Sequence, residues 1–494
     1  MGQLRFAIPR PERLSPGAMT RAYVAGIDGI PWECRRTNAD GVLSIERDVR
    51  ESGNLYFPWL VPGQGEYTLC TASLMERERS YHLTVELARG TLNRLRNQID
   101  IWESGGATIP DECRSLVHES TLALARAAIG KEDAAAADEA AGESIELAMR
   151  AIDLLCRDYS RQVLEIRRRE QPMMSMLLGC RLDHVPTGEA AEAFTAAFNT
   201  AVIVPNWRDL SVRVGEYEWD LLDEQVQWCR DQGLRVCMGP VVQFDRSSLP
   251  DWLYLWEEEF DELEASVVDF ARAVVQRYLG RVHLWNCAGR MNVPGVMDLS
   301  EEQRLRLTVD LLELVRSIDP RTPTIVSFDQ PWAEYVADEE QELTPLHFAD
   351  TLARSDLGLA GVAMEMNFGY LGGGTLPRDA LEISRQIDRW GQLGVPLVGV
   401  VTLPSRGDDD PSASSKATVL PSLAAGGVTP KWQCEQAQGL IPLLVARQPM
   451  QAVFWNQLRD NVPHDFPHGG LYDAAGKPKP VLAAIIDMRK ELMP

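Results

Sequence analysis

The chain has 494 residues, 45% of them hydrophobic and 24% charged, a balance that allows a large core and excludes bulk disorder. Lysine and arginine total 49 against 72 aspartates and glutamates, a formal net charge of −23. Such a deficit of cations argues against nucleic acid and anionic membrane surfaces as partners, and no stretch reaches the ~20 apolar residues of a membrane span.

Nine cysteines lie scattered at 34, 70, 113, 156, 180, 229, 237, 287 and 434. No CxxC pair occurs among them, so they read as reduced, buried, small apolar residues rather than as a disulfide scaffold or a zinc site. The opening stretch MGQLRFAIPRPERLS has neither an apolar run nor a small-residue cleavage site, which fits a cytoplasmic chain.

Residues 1–90 read as a β-rich, sandwich-like domain. Short apolar runs such as QLRFAI, RAYVAGI, NLYFPWLV and YHLTVEL are separated by Gly, Pro, Asn and Asp turns. Residues 91–171 change to helical periodicity and read as a bridge of two or three helices. In its last part Ile145, Leu147, Met149, Ile152 and Leu155 fall on one broad apolar face.

From 172 to 494 strand and helix patterns alternate. The strand candidates are MSMLLGCR, TAVIVP, LRVCMG, RVHLWN, PTIVSF, LAGVAME, PLVGVVT and QAVFWN, each followed by a helical stretch. Eight such units with continuous apolar strands predict an α/β fold, a (β/α)8 TIM barrel. No glycine-rich nucleotide loop follows any strand, so no cofactor is expected. His464 and His468 lack a third ligand in sequence, so no metal is expected either. Two polar stretches, YLGGGTLP (370–377) and GDDDPSASSK (407–416), are expected as loops over the mouth.

In such barrels chemistry sits at the C-terminal ends of the strands. The polar residues there include Asn206, Gln243, Asp245, Arg290, Asp329, Glu365 and Asn367. Trp207, Trp285, Trp332 and Trp455 are interleaved with them. Aromatic faces beside fixed amides and carboxylates suit a carbohydrate ligand, the aromatics stacking on sugar rings and the polar groups bonding hydroxyls.

The order of several motifs resembles glycoside hydrolase family 10, the xylanases. The segment from 198 to 253 has that family's succession of strand, Asn206-Trp207, Gly-aromatic turn, helix, Gly-turn-strand and Pro250-x-Trp252-Leu253. VHLWNCAGR, GVAMEMN and GVPLVGVVTLPS resemble its fourth, sixth and seventh strands, and FWNQLRDN with GGLYDAAGKPKPVLAAI its C-terminal part. The resemblance spans about 320 residues and implies a carbohydrate ligand. It also implies retaining chemistry with two glutamates ~5–5.5 Å apart, an acid/base after strand four and a nucleophile after strand seven. The matching positions here hold Arg290 and Val401, or Leu403 after a small shift. No Asp or Glu occurs in 270–297 or 389–407. An arginine cannot protonate a leaving group near neutral pH, and an aliphatic side chain cannot attack an anomeric carbon.

Three possibilities stay open on the sequence. One is a divergent, non-hydrolytic barrel that still binds glycan, with Asn206, Trp207, Gln243, Trp285, Arg290, Trp332, Asn367 and Trp455 as the binding set. Another is a glycosidase with relocated acids, Glu365 with Asp329 or Asp245. The third is a scaffold without sugar binding. The oligomeric state is left open too.

Overall fold

A computed structural model describes residues 2–130, 133–170, 176–339 and 341–492. The first two residues of the MSMLLGCR candidate lie outside the described residues, as does the expected boundary at 171/172.

The N-terminal part forms two small sheets. The first orders its strands β3 (Arg35–Ala39), β4 (Val42–Arg47), β1 (Gly2–Ala7) and β7 (Tyr81–His82); the second orders them β2 (Tyr23–Ala25), β5 (Asn54–Val61) and β6 (Gly65–Cys70). The run YHLTVEL is not a strand throughout: only Tyr81 and His82 pair with β1, and α1 (Leu83–Ser104) starts at the next residue. Leu83, Leu87, Thr91 and Leu95 repeat every four residues and are all buried, so the helical period wins there over local β-propensity.

Two further helices follow, α2 (Asp111–Ile129) and α3 (Ala134–Glu170). Ile145, Met149, Ile152 and Leu155 of α3 are buried as the periodicity predicts, while Leu147 is half-buried at the edge of the stripe.

The rest is a closed (β/α)8 barrel. Its eight parallel strands are Leu177–Arg181, Thr200–Ile203, Arg235–Met238, Leu284–Gly289, Thr324–Asp329, Leu359–Asn367, Leu397–Thr402 and Met450–Trp455. Closure comes from pairing of the first strand with the eighth and of the third with the fourth. All eight overlap the apolar runs seen in the sequence, the fourth starting three residues later than RVHLWN and running on to Gly289.

The inward faces are layered. Val202, Cys237, Leu284, Ile325, Ala363, Val398, Ala452 and Phe454 form one apolar cluster inside the barrel. Because side chains alternate along a strand, the next inward positions toward the C-terminal ends include Asn286, Ser327 and Glu365, with Asp329 one step beyond Ser327. The interior thus turns from apolar to polar over one pleat, and the polar layer is the floor of the mouth.

The N-terminal part grips the side of the mouth. Backbone bonds run from Glu66 to Ser422 and from Thr68 to Pro377, tying β6 to the loops after the sixth and seventh barrel strands. Buried Arg94 of α1 donates to Asp379 (2.6 Å) and Glu382 (3.1 Å) at the start of the helix Ala380–Gly391. Buried Arg378 donates to Glu334 (2.7 Å) and to the Tyr23 hydroxyl (2.8 Å). Among the described residues no helix is long and apolar enough to cross a membrane.

Candidate functional site

Arg290 stands directly after the fourth barrel strand with φ of 62°, in the left-handed region that a non-glycine residue adopts only at a cost. The turn is held from below: Asn292 donates to the Asp329 carbonyl (2.8 Å) and accepts from the Asp329 amide (3.1 Å). This locks the loop after strand four onto the end of strand five and aims the guanidinium across the mouth.

The fork spends itself on three carboxylates. Nε donates to Glu365 Oε2 (3.1 Å), Nη1 to Asp245 Oδ2 (2.7 Å) and Nη2 to Asp465 Oδ2 (3.0 Å). Asp465 also accepts from Arg181 Nη1 at 3.1 Å. Asp245 is committed further: its Oδ1 accepts from the Ser247 hydroxyl and the Ser248 amide, and its Oδ2 from Gln243. Five donor and acceptor side chains from strands one, three, four, six and the segment after strand eight thus close one ionic network.

The electrostatics follow from burial and pairing. Burial alone would lower the Arg290 pKa, but the charges of Glu365, Asp465 and Asp245 outweigh it and raise it well above its ordinary value. Asp465 is also opposed by burial, yet Arg181 and Arg290 hold its carboxyl down at about 2. Asp329 goes the other way. Burial first and the neighbouring Glu365 charge second push it up to about 8, against the pull of Arg290 and bonds from the Gln330 amide and Asn367. It therefore carries its proton at neutral pH, while Asp465 does not.

Little open space remains at this centre. A cavity of about 30 Å³ is lined by Gln243, Asn286, Glu365, Arg181, Trp455 and Asn456, room for little more than one water molecule. Asn286 donates to the Ser327 hydroxyl (2.6 Å), and its own oxygen is buried without a partner, the natural acceptor for such a water.

Beside the centre, over strands one to three, the mouth opens into a groove of about 870 Å³. Asn206, Asp183, His184, Arg208 and Arg246 lie along it, and Arg181 and Asp465 form the wall shared with the ionic network. Burial raises the Asp183 carboxyl, with Arg459 opposing, and one of its oxygens is buried without a partner. Asn206 caps the short helix Trp207–Leu210 by accepting from Asp209 and donates to the Ser247 carbonyl (3.3 Å).

Several residues expected to bind ligand do not reach it. Trp207 is 2% exposed and stacks on Phe270, centroids 4.5 Å apart, beneath the groove. Trp285 is fully buried and donates to Asp319 (3.0 Å). Since Leu284 and Asn286 point inward, strand alternation turns Trp285 outward to the helices. Trp332 is buried against Arg378 and Phe368, under the N-terminal sheets. Asn367 is fully buried, donating to Asp329 (3.3 Å) and accepting from Thr402 (2.6 Å), so it positions Asp329 instead of a ligand. Trp455 donates to the Gly469 carbonyl (2.9 Å) and touches only the narrow cavity. The expected aromatic platform is therefore corrected to a set of core tryptophans. Gln243, Arg290, Glu365 and Asp245 do meet at the centre, and Asn206 faces the groove.

Two members of the network were absent from the expected set. Arg181 is the last residue of the first strand, two residues before Asp183, the first polar position beyond that strand. Asp465 sits in PHDFPHGG, where the two histidines drew attention instead. Those histidines fasten the loop 407–416: His464 Nε2 lies 3.0 Å from Asp410, and the His468 amide donates to the same carboxylate at 2.9 Å. The loop from the sixth strand is also secured, Tyr370–Leu371 pairing with Thr418–Val419.

The site is thus the mouth of a (β/α)8 barrel with an arginine at its ionic centre and a polar groove at its side. No protein-family model matches the sequence, and no curated protein matches it. The solved structures it resembles are family 10 xylanases at low sequence identity. They include xylanase 10B from Thermotoga maritima (16% identity, 68% of this chain and 98% of that chain, TM-score 0.48). Another is xylanase B from Clostridium stercorarium F9 (19% identity, 66% and 99%, TM-score 0.47). A third is xylanase 10B from Thermotoga petrophila RKU-1 in complex with xylobiose (16% identity, 68% and 98%, TM-score 0.48).

Proposed function

We propose that this protein is a non-hydrolytic barrel that binds a carbohydrate in the groove over strands one to three. The observation that carries the reading is the binding of Arg290 to Glu365, Asp245 and Asp465 together. A retaining glycosidase needs one carboxyl free to give up a proton and a second free to attack. Here two of the three relocated candidates, Glu365 and Asp245, are acceptors to a permanent cation. The third, Asp329, holds a proton but is buried beside Glu365 on the adjacent strand and is part of neither the cavity lining nor the groove lining.

Binding is supported separately. The groove offers amide, imidazole, guanidinium and carboxylate groups along one open wall, the donor and acceptor mixture that a polyhydroxylated ligand requires. It has no exposed tryptophan, so affinity rests on hydrogen bonds and should be modest.

Calorimetric titration with xylotriose tests this. The expected result is saturable binding in the high micromolar to millimolar range, lost in His184→Ala/Arg246→Ala and kept in Trp285→Phe. Absence of binding by xylotriose and by a panel of other oligosaccharides would overturn it in favour of a scaffold.

A further inference from the structure

A second cavity lies at the flank of the mouth, behind the loops after strands six and seven, where β6, α3 and the helix Pro430–Ala446 meet. It measures about 120 Å³. We propose that it is a binding site for a small neutral molecule with an apolar single-ring or branched-alkyl body and one hydroxyl-type group. The proposal is independent of what the groove binds.

Its size sets the scale, since an apolar cavity of about 150 Å³ takes up benzene. Its walls set the chemistry. Ile152 and Cys156 of α3, Leu403 after the seventh strand and Leu440 of the last wall are all buried, and Tyr67 and Trp432 add aromatic surface. Ionised groups also border it, but they are spoken for. Glu66 is bound by Arg21, Asp379 by Arg94, Arg378 by Glu334 and Glu435 by Lys431, so each charge has a counter-ion, although Nε and Nη1 of Arg378 are buried donors without a hydrogen-bond partner. A charged ligand would lose its hydration and gain no unpaired counter-ion. Asp153, paired with Arg157 at 3.1 Å, and Gln436 supply a polar edge that can meet one hydroxyl.

Gly439 is the second observation. It lies in the interior of the helix Pro430–Ala446 and on the cavity wall. A Cβ built there meets nothing within 4 Å, and its φ is not positive. Glycine is a poor helix former, and here neither backbone geometry nor a close neighbour calls for it. What its missing side chain provides is room in the cavity. An occupant would touch all three parts of the chain and so strengthen their docking.

The test is a titration of the full chain with 4-fluorophenol, read by fluorine NMR line broadening and by calorimetry, with xylose as a polar control. The wild type should bind 4-fluorophenol saturably at millimolar or lower concentration. Gly439→Leu, which fills the open space, should weaken binding at least tenfold while the melting temperature holds or rises. Gly439→Ala should stay within threefold of the wild type. Failure of the wild type to bind saturably, or unchanged binding by Gly439→Leu, would overturn the proposal. Should Gly439→Leu fold poorly, Leu440→Trp provides the same blockade from the adjacent position.

Discussion

At the centre of the barrel mouth Arg290 holds Glu365, Asp245 and Asp465, and the space left is about 30 Å³. Beside it, over strands one to three, the same mouth opens into a groove of about 870 Å³. The two share Arg181 and Asp465 as a common wall. On the reading proposed above, binding and chemistry separate in this architecture. Chemistry needs carboxyls whose protons are free to move, and one arginine in a left-handed turn removes that freedom from several of them together. The groove is open although Arg290 borders it, through Asp465 on the shared wall and through Asp245 in the loop that carries Arg246 and Ser247.

The largest effect should come from removing the centre's cation. Arg290→Met leaves three carboxylates facing each other without a partner, and breaking a buried pair from one side costs about 3–5 kcal/mol. Urea unfolding should show this as a large fall in midpoint. An unchanged midpoint would mean that the network contributes nothing to folding. Asp465→Asn should rank next, at about 2–3 kcal/mol, because Arg290 and Arg181 both lose an ionised acceptor.

The pH dependence separates two carboxyls within the centre. Asp329 is raised to about 8, so the folded state retains its proton where an unfolded aspartate, near 4, has lost it. Stability then falls as pH rises from about 4 through about 8. Asp465 is depressed to about 2, so its contribution is complete above about 4 and is lost as pH falls toward 2. Asp329→Asn, neutral at every pH, should flatten the decline between pH 5 and 8.5 in urea midpoints. An equally steep decline in that variant would assign it to another group. The smallest effect on stability belongs to the groove. Arg246→Ala should change the unfolding free energy by under about 0.5 kcal/mol, as expected for an exposed site, while weakening oligosaccharide binding severalfold in calorimetry.

The barrel was legible because each strand is a buried apolar run, and buried parallel strands need no register information to be recognised. The placing of Glu365 and Asp329 at strand ends was also legible, and alternation agrees with it, Glu365 lying two residues beyond inward-facing Ala363 and Asp329 four beyond Ile325. The tryptophans were misplaced for the same reason: being near a strand end does not settle which face a side chain takes. For Trp285 parity decides, and it could have been counted. For Trp332 nothing local could have revealed that the N-terminal sheets cover it, because Tyr23 and Arg378 are 355 residues apart. Asp465 was equally hidden, lying in a loop with no periodicity to place it.

The most direct test of the central claim is product release from xylotriose and xylan at high protein concentration, comparing the wild type with Glu365→Gln. A non-hydrolytic mouth predicts no release above buffer from either. Release by the wild type that disappears in Glu365→Gln would show a working relocated acid and contradict the account.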